Sequence, residues 1–596
     1  MKNKKTNKWI RILKEVKQYK KDAFLSPLCT VLCVILEILI PYLTASIIDQ
    51  GIAVGNMGHV VRIGFLMAVM ALLAMFFGIQ AGRHTARAAT GFACNLRSAM
   101  FSHIQEYSFA NIDRFSTAGL VTRLTTDVTN MQNAFQMMLM MMTRAPVTLI
   151  VALVMAFSIS SRLSVIFLGA MAFLIVMLGL LVPKAMKYFH LMFKKYDAVN
   201  ESIKENVGAI RVVKAYVREE YESSRFRKAV LDLYNNSISA ERIVSLNAPV
   251  MMMTVYTCIL LISWFGAQMI VKDTGLTTGE LTSLLSYVMN ILISLMMLSM
   301  VFVMITQSAA AAQRINEVLE EEPDIVSPDA ALTDVKDGSI DFEHVTFSYT
   351  KGSGKPVLSD INLHIRSGET IGIIGGTGSS KSSLVNLISR LYDVNEGCVK
   401  IGGKDVREYD LTALRSAAAV VLQKNVLFSG TILDNLRWGN PDATEEDCKE
   451  ACRMACADEF IERMPDGYET MIERGGTNVS GGQKQRLCIA RALVGKPKIL
   501  IMDDSTSAVD TATDAKIRTA LKDAAPDTTK LIIAQRISSV EEADRVLVME
   551  DGRVAAFDTP ARLLETCDIY REVYESQKQN GGGDFDEAAA KGGDRA

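Results

Sequence analysis

The chain has 596 residues, 49% of them hydrophobic, and a formal net charge of −2. That length allows several domain-sized units, and the near-neutral balance argues against a basic protein that coats nucleic acid. The apolar residues are concentrated in long runs in the first half, which excludes a wholly soluble chain.

The chain opens with a lysine-rich arm. Within Trp9–Tyr19 the apolar residues Ile10, Ile12, Leu13 and Val16 alternate with lysines, the pattern of an amphipathic helix on the inner membrane surface. The apolar stretch that follows is too long for a signal-peptide core and ends in no small-residue cleavage pattern, so no cleavable leader is expected. Six segments have spanning length: Ala23–Ile48, Val60–Gly82, Met131–Ile159, Leu163–Val182, Ala248–Val271 and Leu281–Ile305. Lys and Arg crowd the arm and the two long connections Arg83–Arg123 and Lys184–Arg242, whereas the other connections are short and poor in basic residues. The positive-inside rule then puts both termini in the cytosol. The long connections read as helices projecting beyond the bilayer.

Charged residues inside spans are candidates for function. Glu37, four residues before Pro41, is positioned to meet a cationic substrate, and a buried structural acid is the competing reading. Arg144 in the third span either pairs with it or snorkels. The methionines of the sixth span, Met296, Met300 and Met304, recur every four residues and form a candidate cavity stripe. Lipid-facing packing is the bland alternative.

After Ala310 the composition changes. Glu320–Pro328 is acidic and carries two prolines, as a linker does. From Gly338 the pattern becomes strand, glycine turn, helix and apolar strand, a mixed α/β domain. The last residues are Gly-, Ala- and charge-rich and read as disordered. The expected organisation is an arm over 1–22, a six-span all-α domain over 23–319, a linker over 320–337, an α/β nucleotide-binding domain over 338–577 and a tail over 578–596. The ten cysteines have no framework spacing. Cys448, Cys452 and Cys456, four apart, read as one packed helix face, since a metal would lack a further ligand nearby.

The apolar strand Thr370–Ile374 runs into Gly375, Gly376, Thr377, Gly378, Ser379, Ser380, Lys381, Ser382 and Ser383, then an apolar helix. This is a phosphate-binding loop in its proper context. Backbone N–H groups of the loop curl around phosphate oxygens and the helix start adds a favourable dipole. Lys381 meets the terminal phosphates, and the Ser382 hydroxyl suits Mg²⁺. Serine at 380 stands where the pattern calls for glycine. A second apolar strand, Ile499–Met502, ends in Asp503 and Asp504, and Asp503 suits Mg²⁺. Between the two lies Asn478–Arg486, in which Ser480, Gly481, Gly482 and Gln483 open a helix and form a further anion site.

With that last motif the chain resembles the ATP-binding-cassette exporters, whose signature is Ser-Gly-Gly-Gln just upstream of the carboxylate strand. The resemblance implies ATP and Mg²⁺ as cofactors. It implies Gln423 as the glutamine-loop residue beside Mg²⁺, Tyr349 as the aromatic that stacks on adenine, and Ser507–Asp510 as a dimer-contact loop. Asp113–Gly119 and Val213–Tyr216 resemble the cytosolic loops that dock on cassettes.

Two departures from the family pattern bear on the chemistry. The family places glutamate after the Mg²⁺ aspartate to polarise the attacking water, and here stands Asp504. It places histidine after the last core strand, against the γ-phosphate, and here stands Gln535, which cannot carry the imidazole's charge. The chain is therefore similar to the altered-site subunit of a heterodimeric bacterial multidrug exporter. That resemblance implies a partner half-transporter supplying glutamate and histidine, a lipid bilayer around the spans and a small amphipathic cargo. It also implies a plasma-membrane location and no nucleic acid. A lipid or peptide exporter of the same fold, and an ATP-gated regulatory membrane protein, are the alternative readings.

Overall fold

The computed structural model describes residues 8–273, 275–349, 355–504 and 509–579. The expected disordered tail falls almost wholly outside them, as do Ser507 and Ala508 and the side chain of Met300. The chain forms two compact units. One comprises the described residues up to Gln105 together with Ala118–Glu321, and the other joins Glu106–Thr117 to the described residues from Glu322 onward.

In the first unit, six helices among the described residues are long and apolar enough to cross a membrane. They lie in Lys20–Ser46, Met57–Gln105, Val128–Ile159, Ser161–Gly208, Asn247–Val271 and Thr278–Glu320. The second has 49 residues, about 70 Å at the α-helical rise and more than twice a hydrocarbon core. Such lengths explain why the polar connections read as helical. Lipid offers no hydrophobic drive between apolar helices, so small residues at their contacts are what allow close packing. Ala152 and Ala156 of the third span are fully buried, as are Ala88, Ala89 and Ala93 where the second helix continues past its apolar run. The sixth span begins in a capping box, Thr277 with Glu280. It also supports the proline-containing first span: Ser283 donates to the Pro41 carbonyl at 2.6 Å and Tyr287 to that of Ile38 at 3.1 Å. A buried acid, Asp127, accepts two bonds from Arg314 at 2.5 and 2.7 Å.

The amino-terminal arm differs from a free amphipathic helix. It is a short helix, Lys8–Lys14, followed by a turn at Lys17–Tyr19, with Lys17 at φ 38°. Ile12 and Val16 are buried within the unit, and Asn95 donates to the Glu15 carbonyl at 2.8 Å. Protein covers Ile12 and Val16 of the apolar face, and Ile10 is exposed.

The second unit is built on a six-stranded sheet. Its order is Arg553–Asp558, Arg545–Glu550, Thr370–Ile374, Thr529–Ile533, Ile499–Asp503 and Ala418–Val421. All neighbours pair parallel except the first two. A four-stranded antiparallel sheet, ordered Leu358–Ile365, Ile340–Phe347, Glu396–Ile401 and Lys404–Asp405, packs with it around Ile371, Leu384 and Ile501. The central strands are buried on both faces, which is why they read as continuous Ile/Leu/Met runs rather than alternating ones. A helical region packs on the other side. There Cys448, Cys452 and Cys456 are buried beside Leu487 and Ile489. Cys448 and Cys452 share the face of the Glu445–Met454 helix as expected, whereas Cys456 lies past its end at φ 51° and is not on that face. Burial pushes the Cys452 thiol up to about 12, so it is an inert apolar residue.

Glu106–Thr117 belongs to this unit despite its distance in sequence. Its short helix, Phe109–Phe115, is capped reciprocally by Ser108 and Asn111. The Tyr392 hydroxyl donates to Asp113 at 2.7 Å, and the Phe109 and Tyr392 rings lie 6.2 Å apart. Asn111 donates to the Glu322 carbonyl and Ser108 to Asp324.

Candidate nucleotide site

The parallel strands align so that their carboxyl ends share one edge. Ile533 pairs with both Ile373 and Asp503, and Val421 pairs with Met502. Four chain segments therefore leave the sheet side by side: the Gly375–Ser383 loop, Asp503–Asp504, Gln535 and Gln423. In open α/β sheets, the carboxyl edge is where ligands bind.

The loop is tightly constrained. A Cβ on Gly375 would stand 2.2 Å from the Met549 backbone oxygen, so only glycine passes there. Gly378 takes φ +85°. Ser380 sits at φ 74°, ψ 24° at the start of the Lys381–Ile388 helix, in left-handed geometry. The loop thus keeps the conformation a glycine would take and carries a strain of about 1–2 kcal/mol for doing so. Lys381 donates to the carbonyls of Gly375 and Gly376 at 2.7 and 2.9 Å and to the Ser379 hydroxyl at 3.2 Å, so its ammonium lies over the loop.

Asp503 is 8% exposed. Burial raises its pKa, opposed by a hydrogen bond from Ser382 and the charge of Lys381. A desolvated carboxylate beside a serine hydroxyl is a hard-oxygen pair that fits Mg²⁺. When bound, the ion would neutralise charge on the phosphates, with Ser382 and Asp503 as its protein-side oxygens.

Asp504 lies at φ 48°, and its N–H donates to the Ile533 carbonyl at 3.1 Å. Gln535 donates through Nε2 to the Asp504 carboxylate at 3.2 Å. Two of the three residues that depart from the expected pattern, Asp504 and Gln535, are therefore in contact. Tyr349 is half-exposed, bonds the Ser383 hydroxyl at 2.9 Å and meets Tyr392 edge-on at 5.0 Å. It stands beside the phosphate loop. Gln423 is exposed, just past the edge strand.

The Ser480–Gln483 motif begins the Gly481–Val494 helix. Its serine accepts from the Gln483 N–H at 3.3 Å, and Gln483 returns a bond to the Ser480 N–H at 2.9 Å. Ser480 and Gly481 are exposed. Near Gln423 opens a groove of about 650 Å³, floored by Arg415 and Arg491. On its wall Phe428 and Trp438 stack at 4.0 Å, 6° from parallel.

Of the membrane candidates, Glu37 and Arg144 form an ion pair at 2.6 Å, and Cys33 donates to the same carboxylate at 3.3 Å. Met296 is half-exposed in the single chain, and Met304 is partly buried. Sequence reasoning did not single out Tyr392 or Gln577. The aromatic before Asp393 and the glutamine near the end of the last helix carry no motif; only their contacts reveal them.

A phosphate loop, a carboxylate strand and a helix-opening serine-glycine motif on one α/β unit, following six spanning helices, define an ATP-driven membrane transporter. Comparison with known proteins gives the same answer. The ABC transporter transmembrane region matches residues 23–296, and the ABC transporter family proper matches residues 358–507. An uncharacterised ABC transporter ATP-binding protein of Mycobacterium tuberculosis is 36% identical over 568 residues, covering 94% of this chain and 97% of that one. A second, YfiB of Bacillus subtilis, is 36% identical over 541 residues, covering 91% and 94%. The structure of a bacterial Atm1-family ABC exporter with ATP bound superposes with a TM-score of 0.77 at 22% identity, covering 96% of this chain and 99% of that one. The chain belongs to the ABC transporters: it is a half-transporter of exporter fold whose cassette is an ATPase domain.

Proposed function

We propose that this half-transporter works as the altered-site subunit of a heterodimeric exporter in the plasma membrane, with both termini and the cassette cytosolic. Its own phosphate loop holds MgATP and hydrolyses it slowly. Its Ser480–Gln483 motif completes the partner's productive site, and the cargo is a small amphipathic compound. The observation that carries this reading is the Asp504–Gln535 pair. At the position of the water-polarising base stands a carboxylate one methylene short of glutamate. It is turned to an uncharged amide 3.2 Å away instead of an imidazole. Two changes that both bear on γ-phosphate chemistry point to one shared cause. The exposure of Ser480 and Gly481 suits a motif that serves a facing cassette.

The groove beside Gln423 suits assembly as well. The loop helix Ile210–Ala215 exposes Ile210 and Val212, followed by Tyr216 and Val217. Residues of this kind on a partner's equivalent helix would cover the Phe428–Trp438 wall. The Glu37–Arg144 pair and the methionine stripe of the sixth span are the proposed cargo-facing residues.

The test is steady-state ATPase activity of the purified complex. Asp504→Asn should lower turnover only modestly, while replacing the partner's catalytic glutamate should abolish it, since general-base catalysis is worth about 10²–10⁴-fold. If Asp504→Asn is as inactive as the partner mutant, the division of labour is wrong.

A further inference from the structure

We propose that Gln577, on the last helix of the cassette, is a positioning residue that fixes the loop carrying Gln535 and thereby sets how well this site distinguishes ATP from ADP. The proposal rests on the reading of Gln535 as the γ-phosphate contact.

Gln577 lies in the Asp568–Gln579 helix and is 7% exposed. Its Nε2 donates to the Gln535 carbonyl at 3.1 Å, and its Oε1 accepts the Ile537 N–H at 2.8 Å. One amide thus bridges a carbonyl and an N–H two residues apart, as a neighbouring strand would, just after Thr529–Ile533 has left the sheet. The orientation of the amide is forced, because a backbone carbonyl only accepts and a backbone N–H only donates. Both ends of the Gln577 side chain are therefore used on the loop.

The opposite side of the loop is held by the Thr511–Ala524 helix. Arg518 donates to the Ser538 carbonyl at 2.8 Å, and Ser539 donates to Asp514 at 3.3 Å. Between these clamps the Gln535 side chain projects toward Asp504 at 3.2 Å. Nothing in the sheet itself fixes that projection, since Ala534 makes the last strand-type bond, to the Ile373 carbonyl at 3.2 Å. A side chain held to sub-ångström precision needs supporting contacts of this kind. The carboxyl-terminal helix, remote from the phosphate loop in sequence, supplies them.

The experiment measures ATP and ADP affinities, with Mg²⁺, on the full-length purified chain and its Gln577→Ala, Gln577→Glu and Gln535→Ala variants. Glutamate at 577 still accepts the Ile537 N–H but sets a carboxylate against the Gln535 carbonyl, so it isolates the donor arm. Both Gln577 variants should bind ADP normally and lose roughly three- to tenfold in preference for ATP, the scale of one displaced hydrogen bond. Gln535→Ala should show at least the same loss. If Gln535→Ala changes the ATP preference and the Gln577 variants do not, the positioning role is refuted. If the Gln577 variants weaken ATP and ADP alike, Gln577 merely supports the fold, and the proposal also falls. If Gln535→Ala itself leaves the ATP preference unchanged, the γ-phosphate reading fails and the proposal falls with it.

Discussion

Lengthening the carboxylate next to Asp503 should partly restore hydrolysis at this chain's own site. Asp504→Glu adds one methylene, about 1.5 Å of reach, toward the water position that a glutamate would polarise. A misplacement near 1 Å costs about a hundredfold in rate, so correcting it sets the upper scale of the gain. The backbone opposes the change. Asp504 sits at φ 48°, a region that a short polar side chain tolerates and a longer one enters at about 1 kcal/mol. That strain corresponds to roughly a fivefold loss if it falls wholly on the reactive conformation. The net expectation is about a twentyfold rise in turnover by the assembled complex whose partner's catalytic glutamate has been replaced, in lipid nanodiscs at saturating MgATP. Nucleotide affinity should change little, because Lys381 and the loop backbone are untouched. Gln535 would remain and still lack an imidazole's charge, so the rate should stay below that of a site with both groups. Unchanged or lower turnover, with ATP binding intact, would refute the view that carboxylate reach limits this site.

Ser480→Arg should abolish ATPase activity of the assembled transporter while leaving ATP affinity of the isolated chain within about twofold, as a block acting in trans would; a mutant complex with normal activity sinks the facing-cassette arrangement. Arg314→Met should lower the stability of the membrane unit by roughly 2–3 kcal/mol, because it leaves Asp127 buried without its cation; Arg314 itself is nearly half exposed, which holds the figure below that of a fully buried pair. Thermal unfolding in detergent checks it, and a midpoint within about 1 °C of the parent would show that the Arg314–Asp127 pair does not hold the unit together.

Much of this protein was legible because its two halves use different alphabets. Uninterrupted apolar runs of spanning length have few soluble counterparts, so the six helices could be read directly. Their polar ends could not, since a helix continuing from an apolar run into a polar one changes composition without changing conformation. The Met57–Gln105 helix shows no break where its apolar run stops. In the cassette, glycines and a lysine at fixed spacing mark the phosphate loop because so few backbones satisfy that geometry. Ser380 was legible as a departure, and its left-handed φ shows that the loop imposes its shape on the residue. The arm was legible as amphipathic, but amphipathicity states that one face is apolar, not how much of it protein covers, as it does at Ile12 and Val16. Gln577 was silent for a different reason: its role is a pair of bonds to backbone atoms, which leave no side-chain pattern to recognise.

The grouping of Glu106–Thr117 with the cassette bears on how the protein is made. Asp113 and Tyr392 are 279 residues apart in the chain, so at about 5–20 residues per second the first waits roughly 15–55 s for the second. During that time Phe109 and its neighbours lack the Tyr392 surface that they meet in the finished protein. A ribosome that stalls after the sixth span therefore leaves the Phe109–Phe115 helix without the Tyr392 hydroxyl and ring that it meets in the complete chain.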